Sequence, residues 1–242
     1  MRTLLFALAI FTVSLASPPV AHSAPVHEFH KAAADAYGFY REAFFLLRAG
    51  NTQVASLELE EMADQWDGII KRFGAKPPSV YSNDPAWNKT LVEIKDRISR
   101  GLDAAIKGKA KAARKALGPI RKMLSDLRRR NGQINFSDYV DKANAAFKEL
   151  FKFRYTPPDF NVVEQVDQLR QITAITEYWY EQCLDNAPEA LRKDPEFKRL
   201  MDDSLYSLSR IWVAIAVKKE ANLISILRGL NSSDRILFFR FG

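Results

Sequence analysis

The chain has 242 residues, 47% of them hydrophobic and 27% charged, with a formal net charge of +7. That balance supports a packed core and excludes a disordered chain, while 10 glycines and 11 prolines are too few for a collagen-like or low-complexity one. Cys183 is the only cysteine, so no internal disulfide exists and packing has to hold the fold.

The chain opens MRTLLFALAIFTVSLASPPVAHSA, with Arg2, an apolar run over residues 4–15 and small residues after it. This is the pattern of a secretory signal peptide over residues 1–24, with a cut between 16 and 24. The run falls short of the roughly 20 apolar residues that cross a bilayer, and no later stretch is both long enough and uncharged. The expected product is an exported protein in the periplasm without a transmembrane span.

After the signal, apolar residues recur at steps of three and four, the helical period. The stripe Phe29, Ala33, Ala36, Tyr40, Phe44, Leu47 predicts a first helix ending near Gly50. Asn51 and Thr52 cap a second, carrying Ala55, Leu59, Met62, Trp66, Ile69 and Phe73. Its acids Glu58, Glu60, Glu61 and Asp64 read as the polar face opposite that stripe. Asp84-Pro85 opens a third helix through Leu91, Ile94, Ile98, Leu102 and Ala105, running on through alanines to Leu117. Gly118-Pro119 kinks or breaks it, and Ile120, Leu124 and Leu127 mark a short fourth segment.

The order then repeats. Ser137-Asp138 caps a helix with Val140, Ala143, Phe147, Leu150 and Phe151; Asn161 opens one with Val166, Leu169, Ile172, Trp179 and Cys183. Asp194-Pro195 opens a long one with Met201, Leu205, Leu208, Trp212, Ile215, Leu223, Ile226 and Leu230, before an apolar tail at 236–241. Sliding the chain on itself by 110 residues gives 10 identities over the 67 positions 51–117, among them Pro78 with Pro188 and Asp84-Pro85 with Asp194-Pro195. The expected fold is therefore all-α: antiparallel helical bundles in two tandem related halves of three to four helices each, 25–132 and 133–242. The aromatic residues of the second half, including Tyr155, Tyr178 and Trp212, are expected in its core.

The three histidines, His22, His27 and His30, all lie in the first 30 residues. Histidine-dependent nucleophilic catalysis needs one in the folded body, bundle di-iron sites need paired Glu-x-x-His, and covalent haem needs Cys-x-x-Cys-His; none is present. No glycine-rich phosphate loop or nucleotide fingerprint occurs either. The expectation is a protein that is not an enzyme and has no cofactor. His27 and His30, three apart on one side of a helix turn, leave a copper or zinc role open as the alternative, helped by a free amine if processing exposes one nearby.

The charge is local. Residues 100–130 hold eleven bases against Asp103 and Asp126, a local +9 when the whole chain carries +7. Lys107, Lys109, Lys111, Arg114, Lys115, Arg121, Lys122, Arg128, Arg129 and Arg130 are the candidate contact surface for an anionic partner: an acidic protein, lipid headgroups or an acidic envelope polymer. Such a run suggests nucleic acid, and export argues against it.

Overall fold

The computed structural model describes residues 24–242; the expected signal peptide, apart from Ala24, and His22 lie outside them. The protein is all-α, with no strand among the described residues. Helix α1 (Ala24–Ala49) turns through Gly50 into α2 (Thr52–Phe73), and a short 3-10 turn leads to α3 (Trp87–Ile106), α4 (Ala110–Leu117) and α5 (Ile120–Arg130). Then follow α6 (Phe136–Leu150), α7 (Val163–Asp185), the short α8 (Glu189–Lys193), α9 (Pro195–Ala216), α10 (Glu220–Ile236) and a π-turn, Leu237–Phe241. No helix among the described residues is long and apolar enough to cross a membrane.

Two apolar cores form, one from buried residues between Phe29 and Leu127, the other from Val140 to Phe241. Leu127 is the last buried residue of the first core and Val140 the first of the second. In the first, α1 and α2 make a hairpin and α3 returns along α2; Trp66 Nε1 donates to the Leu91 carbonyl at 2.9 Å and Trp87 Nε1 to that of Phe73 at 3.1 Å. Those bonds satisfy the indole donors that burial would otherwise strand. In the second core α7 packs on α6 and α9, and α10 on α9.

Most of the expected apolar register is buried, including the whole α2 stripe and Val140, Ala143, Phe147 and Leu150 of α6. Several expectations need correction. The third helix does not run to Leu117: it stops at Ile106, and α4 folds back on α3. The turn is a Schellman cap, with Gly108 at φ +70°, its N–H on the Ala105 carbonyl (2.9 Å) and the Lys109 N–H on that of Ala104 (2.8 Å). The long last helix breaks in the same way at Lys218. Asn135, not Ser137, caps α6, its capping box closed by Asp138. Trp212 is 36% exposed because α9 buries Ser204, Leu208, Ile211 and Ile215, one position off; Tyr155 and Tyr178 also face solvent.

At the 110-residue displacement the elements nearly superpose in sequence: α2 on α7, the 3-10 turn Ser79–Tyr81 on α8, α3 on α9, and α4 on the start of α10. The left-handed residue Gly108 meets Lys218, itself at φ +52°. The Phe29 and Trp87 rings meet tilted at 4.9 Å between centres, and Phe136 and Phe197 edge to face at 5.8 Å, with Trp87 and Phe197 occupying matching positions.

Candidate functional site

The basic run folds as two rows on α4 and α5. Gly118 and Pro119 keep helical backbone angles between the two helices, so residues seven apart share a face. Arg114, Arg121 and Arg128 make one such row, and it points inward. Arg114 Nη1 donates to the Leu47 carbonyl at the end of α1 (2.7 Å). Arg121 is ion-paired with Asp141, donates to Asn144 Oδ1 at 2.8 Å, and lies 4.1 Å above the Phe238 ring. Arg128, only 8% exposed, grips Asp138 with two bonds of 2.6 and 2.7 Å. Arg130 pairs with the buried Asp84 carboxylate at 2.7 Å and reaches Thr90. Burial opposes the Asp84 charge, but bonds from Asn131, the Ala86 N–H and Arg130 hold its carboxyl below the usual range.

The expectation of one exposed cationic strip is corrected accordingly. Arg114, Arg121, Arg128 and Arg130 fasten the structure, Arg114 and Arg130 within the first unit and Arg121 and Arg128 across to α6, because a guanidinium's planar fork satisfies several acceptors at once. The other row is solvent-facing. Lys107 and Lys109 flank Gly108 in the α3–α4 turn, and Lys111 and Lys115 follow on α4; all four are exposed and have no ion-pair partner among the described residues. Lys122 and Arg129 are exposed too but share Asp126.

Where the two units meet, a cleft of about 670 Å³ opens between α1, α5 and the chain's last residues. Both His27 and His30 line it. His30 Nε2 is 2.7 Å from the Tyr81 hydroxyl, and its pKa lies below the ordinary imidazole value because of burial and the nearby Arg128 charge. No group of three or more His, Cys, Asp or Glu side chains that could hold a metal occurs among the described residues. Cys183 is buried, and burial pushes its thiol up to about 12, so it packs as a small apolar residue.

No family model, curated protein or solved structure matches the chain. The seam itself was not read from the sequence, although a signal existed. His27, His30, Ala34, Tyr37 and Arg41 recur at steps of three and four along α1 beside the apolar stripe, and all five line the cleft.

Proposed function

We propose that this is a non-enzymatic protein of two divergent copies of one helical unit, exported to the periplasm, which docks an anionic partner on the lysine row of α4. The single supporting observation is that Lys107, Lys109, Lys111 and Lys115 crowd an exposed turn and helix without ion-pair partners among the described residues. Some surface cations elsewhere are matched along their own helices, as in Lys31–Asp35, Arg100–Asp96, Lys193–Glu189 and Arg199–Asp203, and single ones such as Lys71, Lys89 and Arg210 are not; among the described residues the α4 row differs in placing four unpaired lysines close together. Unmatched like charge destabilises a helix slightly, and a partner's negative surface relieves it. The matching stretch of the second unit, from Val217, keeps Lys218 and Lys219 but has Val217, Ala221 and Ser225 where the first unit has Lys107, Lys111 and Lys115.

The test is charge reversal on the outward row only. Binding to anionic lipid vesicles and to polyglutamate, measured against ionic strength, should fall at least tenfold in the variant K107E/K111E/K115E, with a flatter salt dependence. Which of the two probes the wild type holds separates a headgroup from an acidic protein surface. Wild-type binding by the reversed variant, or no binding of either probe by the wild type, rejects the reading.

A further inference from the structure

The cleft at the seam lies apart from the lysine row and is not explained by it. Its wall is largely apolar, from Phe29, Leu124, Leu127, Phe136, Leu191 and Phe241, with aromatic rings from both units. Tyr37 lines the same cleft and is 9% exposed, and its hydroxyl is buried without a hydrogen-bond partner among the described residues. Neutral polar side chains beside it are engaged: His30 bonds the Tyr81 hydroxyl at 2.7 Å, and Ser137 donates to Asn135 at 2.7 Å. A phenol O–H shut away from water and left unsatisfied is costly. Here it borders open volume, and its acceptor comes from outside the chain.

Three observations define that acceptor. Burial raises the Tyr37 pKa well above that of an ordinary phenol, so the group stays a neutral donor. The guanidinium groups of Arg41, Arg121 and Arg128 lie near enough to act on the hydroxyl, and their field favours an electron-rich oxygen over a second donor. None of the lysines and arginines on the wall calls for an anion. Lys31 pairs with Asp35, Arg121 with Asp141, Arg128 with Asp138 and Arg240 with Glu196, and Arg41 Nη1 donates to an oxygen of Gly242 at 2.9 Å. A charged ligand would lose its hydration in this apolar setting without gaining an unpaired counter-charge.

We propose that the cleft binds an uncharged, largely apolar molecule through one carbonyl-type oxygen. That oxygen accepts from the Tyr37 hydroxyl, and the apolar body lies against Phe29, Leu124, Leu127 and Phe136. The volume of about 670 Å³ lies within the range that encloses a ligand of drug-like size, and an apolar wall with few orienting polar groups is the usual make-up of such a site.

Fluorescence titration of the full chain with prodan, a neutral naphthyl ketone whose emission moves to shorter wavelength on leaving water, tests this. Two matched probes accompany it: the propyl analogue, in which a methylene replaces the carbonyl, and the corresponding naphthoate, which carries a charge. Prodan should bind with blue-shifted emission, the propyl analogue at least fivefold and the naphthoate at least tenfold more weakly. Y37F should weaken prodan at least fivefold and leave the propyl analogue unchanged, which isolates the hydroxyl from the ring. A34W, which adds bulk at an exposed lining position, should abolish binding of both. Because the hydroxyl has no partner to lose, Y37F should melt no lower than the wild type; a merely structural role would lower the melting temperature and weaken both probes alike. That pattern, no binding of prodan, a propyl analogue or naphthoate held as tightly as prodan, or wild-type prodan affinity in Y37F or A34W overturns the proposal.

Discussion

The first and second units follow one sequence of elements yet solve the same three packing problems with different residues. Where α3 meets α4, Gly101 lies so close to Leu117 that a Cβ would come within 2.6 Å of its Cδ2; at the matching positions α9 buries Ile211 and α10 buries Leu227. At the turn between those helices the first unit uses Gly108 and the second Lys218. Along the last helices, the inward positions Arg114, Arg121 and Arg128 correspond to Ile224, Asn231 and Phe238. Matching positions thus hold glycine or isoleucine opposite the matching leucine, and guanidinium or phenyl on the last helices. Phe238 lies beneath Arg121, so the apolar residue of one unit seats the cation of the other.

The sharpest test of that contrast is the Arg128–Asp138 pair, because it links the last helix of one unit to the first helix of the next, and Asp138 also closes the cap of α6. Removing one member strands a nearly buried charge. Arg128→Ala should cost about 3–5 kcal/mol in urea unfolding, while the double variant R128M/D138L recovers much of the loss by burying apolar groups instead. A loss below about 1 kcal/mol, the value of an ordinary surface pair, would mean that the seam is held by other contacts. Next in size is Gly101→Val. If the close approach of α3 and α4 is peculiar to the first unit, the variant should lose about 1–3 kcal/mol through overpacking, and a neutral result would show that Leu117 retreats freely.

The apolar stripes of α2, α3 and α6 were legible because each helix buries one face and exposes the other, which a period of 3.6 reports directly. Trp212 lies off the buried face because Ile211 and Ile215 already complete the buried side of α9, and the size of the indole does not outweigh that register. The α3–α4 break escaped because alanines on both sides of Gly108 continue the helical period across it. Charge alone does not separate the inward arginines from the outward lysines, although arginine recurs at a seven-residue step at 114, 121 and 128. The cleft had the weakest trace of all: α1, α5 and residues 240–242 build it together, and a sequence does not reveal which distant helices share a seam.

The smallest expected effect bears most directly on the common frame. Gly108 and Lys218 both sit in the left-handed region at the end of a helix, each donating to the carbonyl three residues earlier, and the following residue closes the longer bond in both turns. A side chain there is strained by about 1–3 kcal/mol, and glycine returns part of that gain through the greater freedom of the unfolded chain. Lys218→Gly should therefore stabilise the protein by about 0.5–1 kcal/mol, whereas Gly108→Ala should destabilise it by a similar or larger amount. Thermal unfolding of the two variants reads both signs. If Lys218→Gly is instead destabilising, its Nζ bond to Asn161 at 3.0 Å outweighs the backbone strain. The second turn is then held by a side-chain tether to the residues just before α7, which leaves the two turns alike in backbone and different in what holds them.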